Sequence, residues 1–350
     1  MWKVVDDLLA QCILDGVFPG CAMAAGQGPR ILYTGAYGHL DRAKTREVTH
    51  PTRYDVGSLT EILTTMPLLL IAVEQGMVSL DDPLTHFIDD VPHDKRKITL
   101  LHLLTHTSGI SPYFLLQQEA KNPREAIDAL IAHPLNNGTG SKVHTSSMGY
   151  LLLGLLLERI FQMPLDEAMK RYISSPMHLR RTGFLPSGAD IAPTDNSIES
   201  EEWQAGLPND ENARFMHGVA GHAGLFTNLE DISRFTSMFA CNGRCDDQVF
   251  FSSRAIHLAT TERTRGMSDA RGYGFQITKR SNPFLGHLWP SGGYGLSDHA
   301  SGSLIAVSPD DGFFVTFLTN GRSTLEDRRD MQRIHKRLLN AAYAAFQHDI

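Results

Sequence analysis

Ser58 is the residue of this sequence whose type and position best suit nucleophilic chemistry. It follows a strand-like segment and precedes a long apolar stretch that is typical of a helix. Free N–H groups in the first turn of a helix stabilise negative charge, so this position would favour an oxyanion beside a nucleophilic hydroxyl. Glu61 follows three residues later, however, and Ser-x-x-Glu is also a capping box, in which Ser58 only caps the helix. From this string alone, both interpretations stay open.

The histidine and cysteine patterns do not predict a metal site. The chain has 16 histidines, and His102 and His106 lie four residues apart, but the glutamate of the zinc-binding His-Glu-x-x-His pattern is absent. Cys241 and Cys245 are separated by three residues and have no second cysteine pair, which argues against a zinc knuckle. We therefore predict free thiols and no bound metal.

The composition is that of a globular protein with an acidic balance. The chain has 350 residues, with 32 Lys and Arg against 39 Asp and Glu, and a formal charge of −7. Nucleic-acid-binding proteins present a basic face, so this balance argues against such a partner. No run approaches the ~18–20 apolar residues that cross a bilayer, and the acidic first residues do not resemble a signal peptide. We expect a cytoplasmic protein without a membrane partner; nothing in the sequence predicts an oligomeric state.

Turn residues and apolar spacing predict similar elements near both ends of the chain. A helix over 4–14 precedes two strands, 21–25 and 30–37, around a Gly-rich turn. Strands 303–307 and 313–319 precede a closing helix that runs from 325 to 346. This arrangement predicts an α/β (α+β) fold, in which an antiparallel sheet is flanked by N- and C-terminal helices.

The middle of the chain is rich in predicted helices. We interpret 1–57 and 215–350 as a sheet domain, 58–184 as an inserted, mainly helical region, and 185–214 as a loop that acts as a lid. The predicted helices of the inserted region are 59–75, 100–104, 123–132, 146–161 and 165–173.

Several segments resemble, in the same order, the serine penicillin-binding proteins and class C β-lactamases, a family with carboxypeptidase and esterase relatives. The most recognisable segment is a non-catalytic one, ITLLHLLTHTSGI at 98–110. The others are VFPGC at 17–21, YDVGSLT at 54–60, SSMGYLLLG at 146–154, and DENAR with GVAGHAGLF at 210–226. The resemblance implies the fold of this family, Ser58 in the nucleophile position and no cofactor.

Three catalytic motifs of that family are altered in this chain. The family activates its serine with the lysine of Ser-x-x-Lys, but this chain has Glu61. Thr145 replaces the catalytic tyrosine, and Ser147 replaces the asparagine of Tyr-x-Asn. The family's Lys/His-Thr-Gly strand supplies a cation and binds substrate. Two alignments of this motif with the present sequence are possible, and neither of them restores it. Its positions here are Leu296, Ser297, Asp298 and His299.

These changes predict impaired acyl transfer. We expect the helix dipole to hold the Glu61 carboxylate ionised, which makes it a weak base that repels a developing oxyanion. General acid–base groups contribute about 10²–10⁴-fold to catalysis, and nucleophile and base act as a unit. Our first interpretation is therefore a catalytically impaired or inactive homologue. It keeps Ser58 and binds a small molecule or a peptidoglycan-like peptide.

Two other interpretations stay open. The first is an active serine hydrolase, of esterase, carboxypeptidase or β-lactamase type, with a rewired site and an acyl-Ser58 intermediate. His144, His222 and His299 are candidates for its base, because imidazole titrates near neutral pH. A histidine within ~3.2 Å of the Ser58 hydroxyl would favour that hypothesis. The second is a structural subunit that pairs with an active paralogue.

Overall fold

The structure, a computed structural model, describes residues 1–41, 44–194, 205–246, 248–321 and 325–349, and for 325–330 the backbone only. Strands occur near both ends of the chain, where the alternation and turn patterns predict them. The strands are β1 (Gly20–Gln27), β2 (Arg30–Gly38), β3 (Tyr54–Asp55), β4 (Gly183–Phe184), β5 (Leu225–Thr227), β6 (Arg244–Cys245), β7 (Gln248–Val249), β8 (Gln276–Ile277), β9 (Tyr294–Ser297), β10 (Leu304–Val307) and β11 (Phe313–Thr319).

A central antiparallel sheet joins the two ends of the chain. Its six strands have the order β2-β1-β11-β10-β9-β8. The first and last strands pair along their length, from Cys21 opposite Thr319 to Gln27 opposite Phe313. The predicted hairpin and antiparallel sheet are thus confirmed. Strands β3, β5 and β4 form a second, three-stranded sheet that leads directly into the Ser58 segment.

The predicted helices are present, and four further helices, within 116–119, 211–215, 229–240 and 253–260, are ones that the sequence analysis does not predict. Several carry a short 3₁₀ or π segment at one end: Pro123–Glu125 precedes α5, and Lys170–Ser174 follows α7. The α-helices are α1 (Lys3–Leu14), α2 (Met66–Glu74), α3 (Leu100–Leu104), α4 (Leu116–Glu119), α5 (Ala126–Ala132), α6 (Ser147–Phe161), α7 (Leu165–Met169), α8 (Glu211–Phe215), α9 (Leu229–Ala240), α10 (Ser253–Thr260) and α11 (Leu325–Asp349).

Both faces of the central sheet are buried. In β11, Val315 and Phe317 pack into a cluster that α1 and α11 cover. Phe314, which precedes Val315, and Leu318, which follows Phe317, point to the opposite face and join the larger core, which contains α9 and the helical region. Side chains of a strand alternate between the two faces, so burial of both explains why β11 is apolar along its whole length.

The helical segment that follows β3 belongs to the core. By length and composition, Gly57–Glu74 could cross a bilayer, but 78% of this stretch is buried inside the protein. Such burial is typical of the central helix of a packed domain.

The predicted lid falls partly outside the described residues, because 195–204 are not among them. The parts of 185–214 that are described lie against the rest of the chain: Ile191 forms a β-bridge with Arg53, and α8 begins at Glu211. The division into a sheet domain, a helical region and a lid stays a prediction.

Two glycines allow α6 to approach the segment 218–224 closely. A Cβ atom on Gly154 would lie 2.7 Å from the backbone N and Cα of Gly221. Because this segment carries His222, the close approach positions a side chain of the cleft described below.

We expect Gly154→Ala to destabilise the protein by about 1–3 kcal/mol through this steric conflict. Alanine has a more favourable helix propensity than glycine by roughly 1 kcal/mol, so propensity alone predicts that the variant is more stable. A loss of stability would therefore come from the steric conflict. Chemical denaturation of both proteins measures it. Gly183→Ala is the matched control, because a Cβ there meets no atom within 4 Å and its effect should stay within about 0.5 kcal/mol. A stabilised Gly154→Ala variant would contradict the packing described.

Candidate active site

Ser58 borders a cleft of about 640 Å³ between the helical region and the central sheet. The cleft is lined by the turn after β3, by Ser147 at the start of α6, by the segment around Asp210, by His222 and by the turn after β9. These elements come from distant parts of the chain, so the cleft exists only in the folded protein.

The Ser58 side chain is bonded to a carboxylate from the turn after β9. Its hydroxyl donates to Oδ1 of Asp298 at 2.9 Å, and its backbone N–H donates to the same oxygen at 2.9 Å. The helical segment here begins with a 3₁₀ turn, Gly57–Leu59, and a π turn, Glu61–Thr65, neither of which has a side-chain cap. The capping-box interpretation is wrong, because Asp298 takes the Ser58 hydroxyl and Glu61 is buried in the core.

Asp298 is fixed by hydrogen bonds on both of its oxygens. Besides the two Ser58 donors on Oδ1, Oδ2 accepts from the N–H groups of Ala300 at 3.0 Å and Ser301 at 2.6 Å. Gly57 makes room for the carboxylate: its φ is +50°, and a Cβ there would lie 2.5 Å from Oδ1 of Asp298. Only glycine meets both conditions without strain.

This contact places negative charge where acyl transfer needs a hydrogen-bond donor. In the mechanism that the resemblance implies, the backbone N–H of the nucleophilic serine stabilises the oxyanion. Here the Ser58 N–H is already bonded to Asp298. A substrate oxygen could reach that N–H only after the carboxylate moved away.

Glu61, at the position of the family's lysine, is buried and protonated at neutral pH. Burial raises its pKa to about 8, although the nearby charges of His222 and Arg271 act in the opposite direction. The expectation of an ionised Glu61 is therefore wrong, since burial outweighs the helix dipole. A protonated carboxyl group cannot accept the Ser58 proton.

His106 and Glu61 form a contact between neutral groups. His106 Nδ1 accepts a hydrogen bond from the Ser146 N–H at 3.2 Å, so Nε2 carries the ring proton. Nε2 lies 3.5 Å from Oε2 of Glu61. Burial, helped by the Arg271 charge, holds the pKa of His106 well below its usual range, so we do not regard this contact as an ion pair.

Arg271 is a site residue that sequence reasoning missed. Its Nη2 donates to the Thr145 hydroxyl at 2.8 Å, and its Nε donates to Oδ2 of Asp269 at 2.8 Å. It is buried, and Nη1 has no hydrogen-bond partner in the described part of the chain. The Arg271 guanidinium group is therefore bonded to Thr145, the residue that stands where the family has its catalytic tyrosine. No motif marks Arg271, which lies 126 positions from Thr145.

The other predicted site residues are divided between the cleft and the rest of the protein. Ser147 lines the cleft. Leu296 is buried in the hydrophobic core, and Ser297 ends β9 beside it. His299 is exposed on the turn after β9.

Among the three candidate bases, only His222 lines the cleft. Its Nε2 lies 2.8 Å from Oδ1 of Asp210, so its nearest partner is a carboxylate and not Ser58. His144 is exposed and lies against the Asn136 amide. Within the described residues, the hydrogen bond of the Ser58 hydroxyl goes to Asp298.

Asp55, which also lines the cleft, titrates near neutral pH. Its two oxygens accept from the N–H groups of Gly57 at 3.0 Å and Asn209 at 2.7 Å. Burial raises its pKa to about 7, and the charges of Asp298 and Asp210 act in the same direction. Within the described residues, no cluster of three or more His, Cys, Asp or Glu could hold a metal ion.

Comparison with known proteins identifies the family. The family model described as "Beta-lactamase" matches residues 4–339. The chain belongs to the beta-lactamase family. The match covers the central sheet and the helical region together, which confirms the fold class that the sequence predicts.

Individual relatives agree with this assignment. The "N-acetylmuramyl-L-alanine amidase" of Bacillus subtilis (strain 168) is 26% identical over 92% of this chain and 81% of its own length. A solved penicillin-binding protein homologue from Caulobacter crescentus has a TM-score of 0.78 at 19% identity, over 98% of this chain and 97% of that one. A class C beta-lactamase from Rhodobacter sphaeroides has a TM-score of 0.77 at 16% identity, over 99% of both. The two structures show the fold alone.

Glu61 should make the protein less stable as the pH rises. Its pKa is about 8 in the folded state against 4.5 for a free group, so the folded state binds the extra proton between these values. The free energy of unfolding should then fall with pH across this window, by up to about 1.4 kcal/mol per unit from this group. Glu61→Gln, which cannot ionise, should reduce that slope.

Urea denaturation at pH 5.0, 6.5 and 8.0 measures the slope for both proteins. Glu47→Gln, a change at an exposed glutamate outside the cleft, is the control and should keep the wild-type slope. Equal slopes in wild type and Glu61→Gln would show that Glu61 is ionised in the folded protein.

Proposed function

We propose that this member of the beta-lactamase family is a catalytically impaired or inactive homologue. It binds a small molecule or a peptidoglycan-like peptide in the cleft and forms no acyl-Ser58 intermediate. The observation that carries the proposal is the bond of Asp298 Oδ1 to both the hydroxyl and the N–H of Ser58.

Activation of the Ser58 hydroxyl lacks a suitable base. The group that accepts the hydrogen bond of this hydroxyl is a carboxylate, which is a weaker base for an alcohol than the lysine amine that the family uses. Glu61 is protonated at neutral pH, and Arg271, bonded to Thr145, has only donors to offer. Neither group can replace the lysine and tyrosine of the family.

Stabilisation of an oxyanion is also opposed. Loss of one oxyanion-hole donor costs about 10²–10³ in rate in enzymes where it has been removed. Here the Ser58 N–H is engaged, and the partner is a negative charge that would repel the oxyanion. Weak activation and poor stabilisation act on the same step, so their effects combine.

One observation favours the alternative, an active serine hydrolase with a rewired site. The Ser58 hydroxyl does donate to a carboxylate, which is the geometry of a base with its nucleophile. For turnover, Asp298 would have to keep its bond to the Ser58 hydroxyl and release the backbone N–H of Ser58. The bonds from Ala300 and Ser301 to its other oxygen oppose such a movement.

The proposal includes a cytoplasmic location and no nucleic-acid or membrane partner. It rests on the formal charge of −7, on the burial of most of the apolar stretch Gly57–Glu74 inside the protein, and on four free cysteines, which are usual in a reducing compartment.

We expect neither a fluorescent penicillin nor a fluorophosphonate to label Ser58. Intact-mass spectrometry after incubation at pH 7.5 should show the unmodified protein, while a class C β-lactamase treated in parallel gains the adduct. Turnover of nitrocefin and of a p-nitrophenyl ester should stay at the level of Ser58→Ala. An adduct on Ser58, lost in Ser58→Ala, would overturn the proposal in favour of an active hydrolase.

A further inference from the structure

The cleft beside Ser58 is negatively charged. Four acidic residues line it: Asp210, Glu211 and Asp298, and also Asp55, which contributes less charge because burial raises its pKa to about 7. The described lining residues include no lysine or arginine. Charges of one sign in a cleft focus the electrostatic field and attract ligands of the opposite sign. An anionic ligand would meet repulsion here.

The same cleft contains a buried acceptor, the side-chain oxygen of Asn320. Asn320 lines the cleft and is only 8% exposed. Its amide nitrogen donates to the carbonyl oxygens of Leu40 at 2.7 Å and Pro193 at 3.0 Å, which fixes the orientation of the amide. Among the residues that the structure describes, Oδ1, the acceptor end, has no hydrogen-bond partner. Burial of an unpaired acceptor is costly, so this atom suits a donor that a ligand brings.

Asp210 is an ionised acceptor in the same cleft. Although burial acts to raise it, the pKa of Asp210 is lowered by the His222 charge and by hydrogen bonds. Its Oδ1 accepts from the Ala213 N–H at 2.8 Å and lies 2.8 Å from Nε2 of His222.

We infer that this cleft selects its ligand through a primary ammonium group, bound by the carboxylates of the Asp210–Glu211 segment and by the free acceptor of Asn320. An ammonium group supplies three hydrogen-bond donors and a positive charge. It therefore complements the acceptors and the negative charge that line the cleft. The inference rests on the proposed function, since it names the ligand class of the same site. It excludes a carboxylate or phosphate as the group recognised.

Three five-carbon probes of matched length test this selection on the full chain. They are 1,5-diaminopentane, 1,5-pentanediol and glutarate, which carry ammonium, hydroxyl and carboxylate ends. Isothermal titration at pH 7.5 and 20 mM NaCl should show at least about tenfold tighter binding of the diamine than of the other two. Raising NaCl to 500 mM should weaken diamine binding several-fold by screening.

Two variants locate the binding. Glu211→Gln removes an exposed charge of the cleft and should weaken diamine binding about 2- to 5-fold. Asp210→Asn keeps an acceptor for the N-terminus of α8 but removes the charge, and should weaken it about tenfold; its thermal unfolding midpoint verifies folding. Glu47→Gln, outside the cleft, is the matched control and should bind like wild type.

The result separates this inference from the proposed function. Diamine binding that is lost in Asp210→Asn supports the ammonium site, whether or not Ser58 reacts with a fluorophosphonate. Equal or tighter binding of glutarate, or diamine binding that the cleft variants leave unchanged, overturns the inference. In that case an unlabelled Ser58 still supports the inactive homologue.

Discussion

The bond between Asp298 and Ser58 determines the character of the site. One carboxylate joins the turn after β3 to the turn after β9, and it uses both oxygens to do so. Gly57, with its positive φ, admits the carboxylate at that distance. The position of the hydroxyl, the engagement of the neighbouring N–H and much of the negative charge of the cleft all follow from this contact.

Behind Ser58, the buried polar groups are arranged so that few charges remain. Glu61 keeps its proton, and His106 stays neutral. Arg271 is the exception, and its charge is balanced by Asp269 and stabilised by the Thr145 hydroxyl. The charges differ from the pattern that the resemblance implies: a protonated carboxyl group occupies the lysine position, and a cation is bonded to the residue at the tyrosine position.

Local patterns predicted the fold well because they act over short distances along the chain. The hairpin of β1 and β2 follows from a Gly-rich turn between two apolar runs, and the segment 98–110 carried the family resemblance. The position of Ser58 before a helix follows from the same kind of local pattern. The motif losses at Glu61 and Thr145 were also visible, since they are simple differences from a pattern.

The interactions within the site could not be predicted because they join distant positions. Ser58 and Asp298 are 240 residues apart, and Asp298 was recognised only as part of a degenerate motif. The protonation of Glu61 depends on burial, which a capping-box pattern does not reveal. Arg271 belongs to no motif, so only the folded chain shows that it reaches Thr145.

The buried guanidinium of Arg271 has a consequence for how this sequence can evolve. A lysine at position 61 would place a second cation in the same buried region, close enough to Arg271 that the Arg271 charge lowers the pKa of the present Glu61. The two positions are therefore epistatic: a substitution that brings position 61 closer to the family pattern is disfavoured unless Arg271 changes as well. A change toward a lysine at position 61 therefore requires a replacement of Arg271 as well, and this requirement helps to preserve the present arrangement.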